Sequence, residues 1–323
     1  MLRGVKLDLQ AAFVAHRPAL VRHCYRMMGS FAEAEELTQD ALERAWKAQG
    51  SFRGTAPVER WLYSIATKAC LNALAHRRRR GLPQLEQPPM GEAYEVQETE
   101  PERWITPAAD ERLFPDPSEE AETREAVALS FLALLQRVPP RQRAALLLKD
   151  VVGWSAEEIA AALGLSVPSV NSALHRAREA VVRQRPDAEE PAGPVVGAFV
   201  RAWETRDLDT LVALLRQDVA LAMPPYAMWF QGVDAVVRFL QTPRFTAFWS
   251  SLVRVVPTRA NGAPAFAFYR RLADGTVEAH SIMVARFLGE RATEMTTFVG
   301  ASYFAAFAFH DTPTEQFSGP RVS

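Results

Sequence analysis

The residues most able to do chemistry in this sequence are its clustered arginines. Arg176 and Arg178 close a segment that also carries Ser169, Asn171, Ser172 and His175, and Arg77–Arg80 form an unbroken run. Guanidinium groups in such clusters neutralise phosphates and make bidentate hydrogen bonds to guanine. Upstream of the run, Phe52, Trp61 and Tyr63 are interleaved with Lys68, Asn72, His76 and Arg77. Rings among cations suit single-stranded nucleic acid, whose bases stack while its phosphates are neutralised. Trp61 reads equally well as plain core packing. Acid–base chemistry has thinner support. Asp218, Tyr226, Glu278 and His280 are its candidates, but no paired carboxylate–histidine motif is readable. A histidine on a strand is more often a satisfied core or rim residue than a base, so no catalytic residue is assigned. Cys24 and Cys70 sit singly in apolar helical patterns, with no Cys/His pair at ligand spacing. They read as buried thiols of a reducing cytoplasm, and neither a metal nor a cofactor is expected.

The residues around Arg176 specify the scaffold it needs. Ser155 followed by Glu158 is a capping box. Ile159, Ala162 and Leu163 then repeat at helical spacing, and Gly164 supplies a left-handed stop. Leu165 plugs a short turn, Ser166 caps a second helix, and Pro168 is tolerated in its first turn. Val170, Leu174, Ala177 and Val181 form one inward stripe, which leaves Ser169, Ser172, His175, Arg176 and Arg178 outside. This is the pattern of a helix-turn-helix with a recognition helix. A helical hairpin with a solvated basic face is the competing reading.

The rest of the chain divides by pattern. Residues 8–28 read as a helix with Phe13, Leu20, Val21, Cys24 and Met27 apolar, broken at Gly29-Ser30. A second helix, Ala32–Gln49, places Leu37, Ala41, Ala45 and Trp46 inward and Glu33, Glu36, Gln39, Asp40 and Glu43 outward. After the loop 50–57, a third runs from Val58 and closes in the four arginines. Residues 81–125 hold seven prolines and many glutamates, and read as a linker without a core of its own. Trp104, Ile105, Leu113 and Phe114 are its apolar exceptions. Helical spacing resumes over 118–136, with Ser118 as cap, and again over Arg141–Val152, giving a four-helix domain to residue 185. Beyond it come a helix Pro194–Arg216, a strand Val219–Met223 and a helix Val233–Gln241. Strands Leu252–Thr258, Ala263–Leu272, Thr276–Leu288 and Ala292–Val299 follow, joined by Asn261-Gly262, Asp274-Gly275 and Gly289-Glu290. The expectation is an α+β cone with a curled antiparallel sheet and an aromatic interior.

The net charge of −1 conceals a strong pattern. Residues 1–80 carry 14 Lys/Arg against 7 Asp/Glu, residues 81–125 carry 3 against 13, and residues 126–185 carry 8 against 4. Two basic blocks about an acidic segment predict two separate surfaces for anionic ligands. No signal peptide and no apolar run of about 18 residues is present, which predicts a soluble, cytoplasmic protein without a membrane partner.

In order and spacing, residues 10–185 resemble bacterial RNA polymerase sigma factors of the extracytoplasmic-function group in the sigma-70 family. AEAEELTQDALERAWKAQGSF is similar to the family's polymerase-binding helix, and VERWLYSIATKACLNALAHRRRR to the helix that reads and opens the promoter −10 element. LQRVPPRQRAALLLKDVVGWSAEEIAAALGLSVPSVNSALHRARE is similar to the −35-binding region. Residues 186–323 resemble a SnoaL-like cone, on MPPYAMWFQG (223–232) and ANGAPAFAFYRR (260–271). Residues 104–117 resemble the Trp-Pro-Asp-containing linker of the sigma factors that carry such a cone.

The resemblance implies a multidomain, non-enzymatic promoter-specificity subunit. Two all-α sigma domains, 8–80 and 118–185, would be joined by the linker 81–117 and followed by a regulatory α+β SnoaL-like cone over 194–312. Core RNA polymerase and promoter DNA, at its −10 and −35 elements, are the implied partners. Glu36, Gln39, Asp40, Glu43 and Trp46 would meet the polymerase clamp. The loop with Phe52 and Arg53 would capture a flipped base. Arg60, Trp61, Lys68, Asn72, His76 and Arg77 would hold the −10 strand and upstream duplex. Ser169, Asn171, Ser172, His175, Arg176 and Arg178 would face the −35 major groove. The acidic linker would thread the polymerase's basic channel as an RNA mimic, with Trp104, Leu113 and Phe114 as anchors for the cone to grip. A one-component helix-turn-helix regulator, or a sigma core fused to an active SnoaL-like enzyme, are the alternatives, and the cone leaves room for a small ligand.

Overall fold

Caps and stripes legible in the sequence build the helical unit, residues 1–80 and 113–185, one of two units into which the computed structural model divides. The structure describes residues 8–52, 54, 56–92, 94–116, 124–181, 189–307 and 309. Helix α1 (Leu9–Met28) starts where the Asp8 carboxylate accepts from the Ala11 amide at 3.0 Å, and it ends at left-handed Gly29. Ser30 caps α2 (Phe31–Ala48), and α3 (Val58–Leu74) follows the loop. Leu20, Cys24, Met27, Phe31, Ala41, Leu62, Ala66 and Cys70 are buried where the three helices meet.

The third helix stops at Leu74, short of the arginine run it was expected to include. Successive guanidinium groups repel along a helix, and Arg80 turns inward instead. It donates to the Met28 carbonyl at 3.1 Å and to both Glu33 carboxylate oxygens at 2.8 and 3.0 Å. Glu33 therefore leaves the solvated stripe.

The second half of this unit holds α4 (Leu129–Arg137), α5 (Pro140–Leu146) continuing into a π-helical turn (Leu147–Val151), α6 (Ala156–Leu163) and α7 (Val167–Val181). The helix expected over 118–136 is interrupted: Arg124 and Glu125 are helical, a turn follows at Ala126–Val127, α4 starts at Leu129, and the expected cap Ser118 lies outside the described residues. Arg143, 2 % exposed, ties the two halves of the unit together. It donates to the Gln136 and Val138 carbonyls, both at 3.1 Å, and to the Met27 carbonyl of α1. Burial lowers its pKa to about 10, which leaves it cationic at neutral pH.

The other unit comprises residues 81–112 and 186–323. Its cone opens with α8 (Gly193–Thr205) and α9 (Leu208–Ala213), where one helix to residue 216 was expected. Arg206 takes a left-handed conformation, Asp207 caps α9, and the chain is extended again from Leu215. The strands are β1 (Leu215–Ala222), β2 (Trp229–Gln231), β3 (Leu252–Ala260), β4 (Ala263–Arg271), β5 (Val277–Leu288) and β6 (Arg291–Val299). Between β2 and β3 lie α10 (Val233–Leu240) and α11 (Pro243–Ser251). Strand order is β2-β1-β6-β5-β4-β3, and β1 runs parallel to β6, so the sheet is mixed rather than wholly antiparallel. Asn261 and Gly262 both have positive φ, 56° and 74°, as a two-residue hairpin turn of this sequence requires. Phe199, Trp203, Phe266, Phe268 and Phe287 fill the interior.

Segment 81–112 is not a coreless linker. Leu82, Trp104, Ile105 and Ala108 are buried. The Trp104 indole donates to Thr99 Oγ1 at 2.7 Å and to the Pro225 carbonyl at 3.1 Å. Asp110 accepts from the Gly262 amide at 2.8 Å and pairs with Arg259 at 3.2 Å. A segment fixed this way against the cone is not a freely threading acidic tract. Its partners lie more than 120 residues away in sequence, beyond the reach of local pattern.

Candidate nucleic-acid interface and cone cavity

The recognition helix α7 buries Val170, Ala173, Leu174 and Ala177 and exposes Asn171, Ser172, His175, Arg176 and Arg178. Among the described residues Arg176 has no partner. Arg178 is held by Asp150, on the π-helical turn, through Nε at 2.9 Å and a terminal nitrogen at 2.5 Å. Ser169 is exposed, but its hydroxyl lies 2.8 Å from that of the cap residue Ser166. His175 lies 3.6 Å from Glu179. The capping box is complete: Glu158 accepts from the Ser155 amide at 2.9 Å, and Ser155 Oγ from the Glu158 amide at 3.2 Å.

Phe52 and Trp61 are half-buried with ring centroids 5.1 Å apart. They line a cleft of about 430 Å³ together with Arg60, Lys68 and, from the helix-turn-helix, Trp154, Glu158 and Ala161. Arg60 forms an ion pair with Glu158, and Tyr63 meets Trp154 edge-on at 6.4 Å. Lys68 and Asn72 are exposed on α3, whereas His76 and Arg77 follow its end, and Arg77 pairs with Glu33. Arg53 lies outside the described residues. The acids Glu33, Asp150 and Glu158, each paired with an arginine of the proposed DNA surfaces, went unassigned in that role. Glu158 is readable in the sequence as a cap and Glu33 as a member of the outward acidic stripe; Asp150 carries no local signal.

On α2, Glu36, Gln39 and Glu43 are exposed on one stripe, and Asp40 beside them pairs with Arg44 at 2.7 Å. Trp46 was placed inward by periodicity. It is 54 % exposed, because one residue past buried Ala45 lies about 100° round the helix, on the side of Glu43.

In the second unit, a cavity of about 480 Å³ lies inside the cone. Trp203, Phe245, Phe268 and Met283 give it apolar walls, while Glu92, Tyr94 and Val96 contribute from segment 81–112. Phe268 pairs with Ser281 and Tyr269 with Ala279, so His280 is the extra residue of a β-bulge. Its ring stacks on Phe248 at 4.2 Å, and Nδ1 lies 3.1 Å from Ser281 Oγ. Burial, and secondarily Arg270, lower its pKa to about 4, so the ring is neutral at pH 7. Glu278 pairs with Arg270 at 2.6 Å and Asp218 with Arg216 at 2.8 Å, while Tyr226 accepts from Arg244 at 3.4 Å. Among the described residues no carboxylate hydrogen-bonds to His280, so the four acid–base candidates are not assembled into one centre.

Family comparison agrees with this division. Residues 12–80 match sigma-70 region 2, residues 128–181 match sigma-70 region 4, and residues 196–295 match the SnoaL-like domain. The ECF RNA polymerase sigma factor SigG of Mycobacterium tuberculosis is 38 % identical over 315 residues, covering 94 % of this chain and 85 % of the relative. The chain belongs to the ECF RNA polymerase sigma factors. SigJ of the same organism is 29 % identical over 242 residues, covering 71 % of this chain and 70 % of SigJ. The SigJ crystal structure shares the fold with a TM-score of 0.60 and 22 % identity, covering 92 % of this chain and 98 % of that one.

As a sigma factor, this chain is of a kind that binds core RNA polymerase and promoter DNA, and its helical and SnoaL-like parts are those its sequence implied. The three expected linker anchors divide between its units. Trp104 is buried in the SnoaL-like unit. Leu113 and Phe114 belong to the helical unit, where Arg22 donates to the Leu113 carbonyl and lies 5.5 Å from the Phe114 ring centroid.

Proposed function

We propose that the exposed stripe Glu36, Gln39, Glu43 and Trp46, with Asp40 beside it, docks this sigma factor on core polymerase. Phe52, Arg53, Arg60, Trp61, Lys68, Asn72, His76 and Arg77 engage the −10 element, and α7 reads the −35 element through Asn171, Ser172, His175 and Arg176. The cone regulates initiation in cis and is not an enzyme, a reading supported by a neutral His280 without a carboxylate partner. The protein works in the cytoplasm, and among the described residues no helix is long and apolar enough to cross a membrane.

One observation carries the docking assignment. Trp46 leaves 54 % of its surface in water beside carboxylates, and tryptophan is enriched among the residues that carry most of the binding energy of protein interfaces. The test is transcription reconstituted from purified core polymerase and a linear promoter library. Trp46→Ala should weaken holoenzyme formation by about tenfold or more with its melting temperature unchanged. Wild-type holoenzyme affinity in a folded Trp46→Ala protein would remove this face from the interface.

A further inference from the structure

Cys24 and Cys70 are the only cysteines of the chain, and neither the promoter surfaces nor the cone uses them. One stands on α1 and the other on α3, yet the fold brings their side chains into hydrogen-bonding contact, with both residues 0 % exposed. The helix crossing is fixed beside them, where His23 Nε2 lies 2.8 Å from Thr67 Oγ1. A single buried cysteine packs as a small apolar residue, but two in contact can also react with each other. The contact makes them unequal. The bond with Cys70 holds the Cys24 thiol below its ordinary pKa although burial pushes it up, whereas the same bond, with burial, raises Cys70. Cys24 is therefore the sulfur that ionises and attacks first. Thr38 of α2 is its other polar neighbour.

Region 4 covers the pair. Helix α5 packs against both α1 and α3, and its buried Arg143 is the cation that acts on Cys70. Gln136 Nε2 donates to the Arg26 carbonyl at 3.2 Å, while Arg143 donates to the Met27 carbonyl and to Gln136 Oε1. Arg26 and Met27 lie within one helical turn of Cys24. The clasp between regions 2 and 4 and the thiol pair thus share one turn of α1, and opening the clasp uncovers the sulfurs.

We propose that Cys24 and Cys70 are a dithiol that hydrogen peroxide closes to a reversible disulfide across α1 and α3, with the clasp of Gln136 and Arg143 gating access to it. The Cys24 thiolate attacks one peroxide oxygen, the O–O bond breaks, and the departing hydroxide takes a proton to become water, leaving a sulfenic acid. The Cys70 sulfur then attacks the Cys24 sulfur. The S–S bond forms as the S–O bond breaks, and the second hydroxide leaves with the Cys70 proton as water. In a reducing cytoplasm such a bond is transient and redox-sensing rather than structural. Nothing in this site depends on the promoter contacts proposed above.

Reduced full-length protein should be exposed to hydrogen peroxide, unfolded in iodoacetamide and weighed. The expected product is a monomer lighter by two hydrogens with neither cysteine alkylated, yielding a peptide pair joined through Cys24 and Cys70 and reverting in dithiothreitol. Cys70→Ser should instead accumulate a sulfenic acid at Cys24 that dimedone traps; trapping at Cys70 in Cys24→Ser, and not at Cys24, would reverse the two roles. Gln136→Met keeps a long side chain but removes the bonds to Arg26 and Arg143. It should speed closure of the disulfide roughly tenfold or more, the share of one hydrogen bond to a charged group. If it fails to fold, Arg143→Lys, which gives up the planar fork, takes its place with the same expectation. Sulfinic or sulfonic acid without the joined peptides, disulfide-linked dimers, or closure only in urea-unfolded protein would overturn the pair. Equal rates in the wild type and the folded clasp variant would overturn the gate. No polymerase or DNA enters these measurements, so their failure is separable from failure of the promoter reading.

Discussion

Arg176 and Arg178 stand two positions apart on one exposed helix, yet only the second has an ion-pair partner, Asp150. Phosphate or base contacts by Arg178 must compete with that carboxylate. Asp150→Asn should therefore raise affinity for random-sequence duplex a few-fold and steepen the log–log salt slope by up to about 0.9, one added phosphate contact. Unchanged affinity and slope would mean that Arg178 does not touch DNA. Histidine chemistry governs a different property, acid stability. His23, 1 % exposed and 2.8 Å from Thr67 Oγ1, has its pKa lowered to about 3 by burial and then by Arg26. The folded value lies below the unfolded 6.5, so the neutral ring contributes stability in full above pH 6.5, and that stability is lost as pH falls toward 3. The loss is on the order of a few kcal/mol. His280 acts in the same direction down to about 4. His23→Gln should flatten the fall of the urea midpoint between pH 6.5 and 4; an unaltered profile assigns the acid loss elsewhere. Residue identities announced the basic surfaces plainly. They could not announce that Arg77, Arg80, Arg60 and Arg178 are held by Glu33, Glu158 and Asp150, because each pairing crosses between elements.

Among the elements, the helix-turn-helix was the most legible, since a capping box, a left-handed glycine and an i, i+4 stripe are all local. The third helix was overextended because helical spacing continues through Ala75, while the bidentate bond between Arg80 and Glu33 that competes with it is tertiary. The strap 81–112 was least legible. Its proline and glutamate content matches disordered chains, yet Trp104 is fully buried and Asn261, at a hairpin turn, exchanges hydrogen bonds with Ala108 at 3.1 and 3.0 Å. Trp104→Ala removes a buried ring and its two hydrogen bonds. It should cost about 3–5 kcal/mol in the unfolding of the SnoaL-like unit and speed amide exchange across 99–109. Native-like exchange there would show that the strap is anchored by its main chain alone.

At the scale of the whole molecule, the chain passes between the two units three times, at residues 80/81, 112/113 and 185/186. Region 2 and region 4 therefore share one unit although the segment joining them belongs to the other. Truncation after Arg185 is consequently not a clean removal of a regulator. It strips Trp104 of its Pro225 acceptor and Asp110 of Gly262 and Arg259, and the shortened protein should aggregate more readily and bind hydrophobic dye along its strap. If it stays monomeric with a melting profile matching the full-length helical unit, the strap has no dependence on the cone. The same threading makes the cone, in effect, a receptor whose peptide ligand is built into the middle of the protein. A single nick in the 182–188 stretch would not release it, because Trp104, Asp110 and the main chain at 97–99 would still be clasped. A separately expressed 189–323 fragment should accordingly recombine with 1–185 from solution, saturably and at equal stoichiometry, and Trp104→Ala in the longer piece should weaken that reunion. Such a two-piece protein would turn an intramolecular tether, worth an effective concentration on the order of mM, into a dose that an experimenter can set.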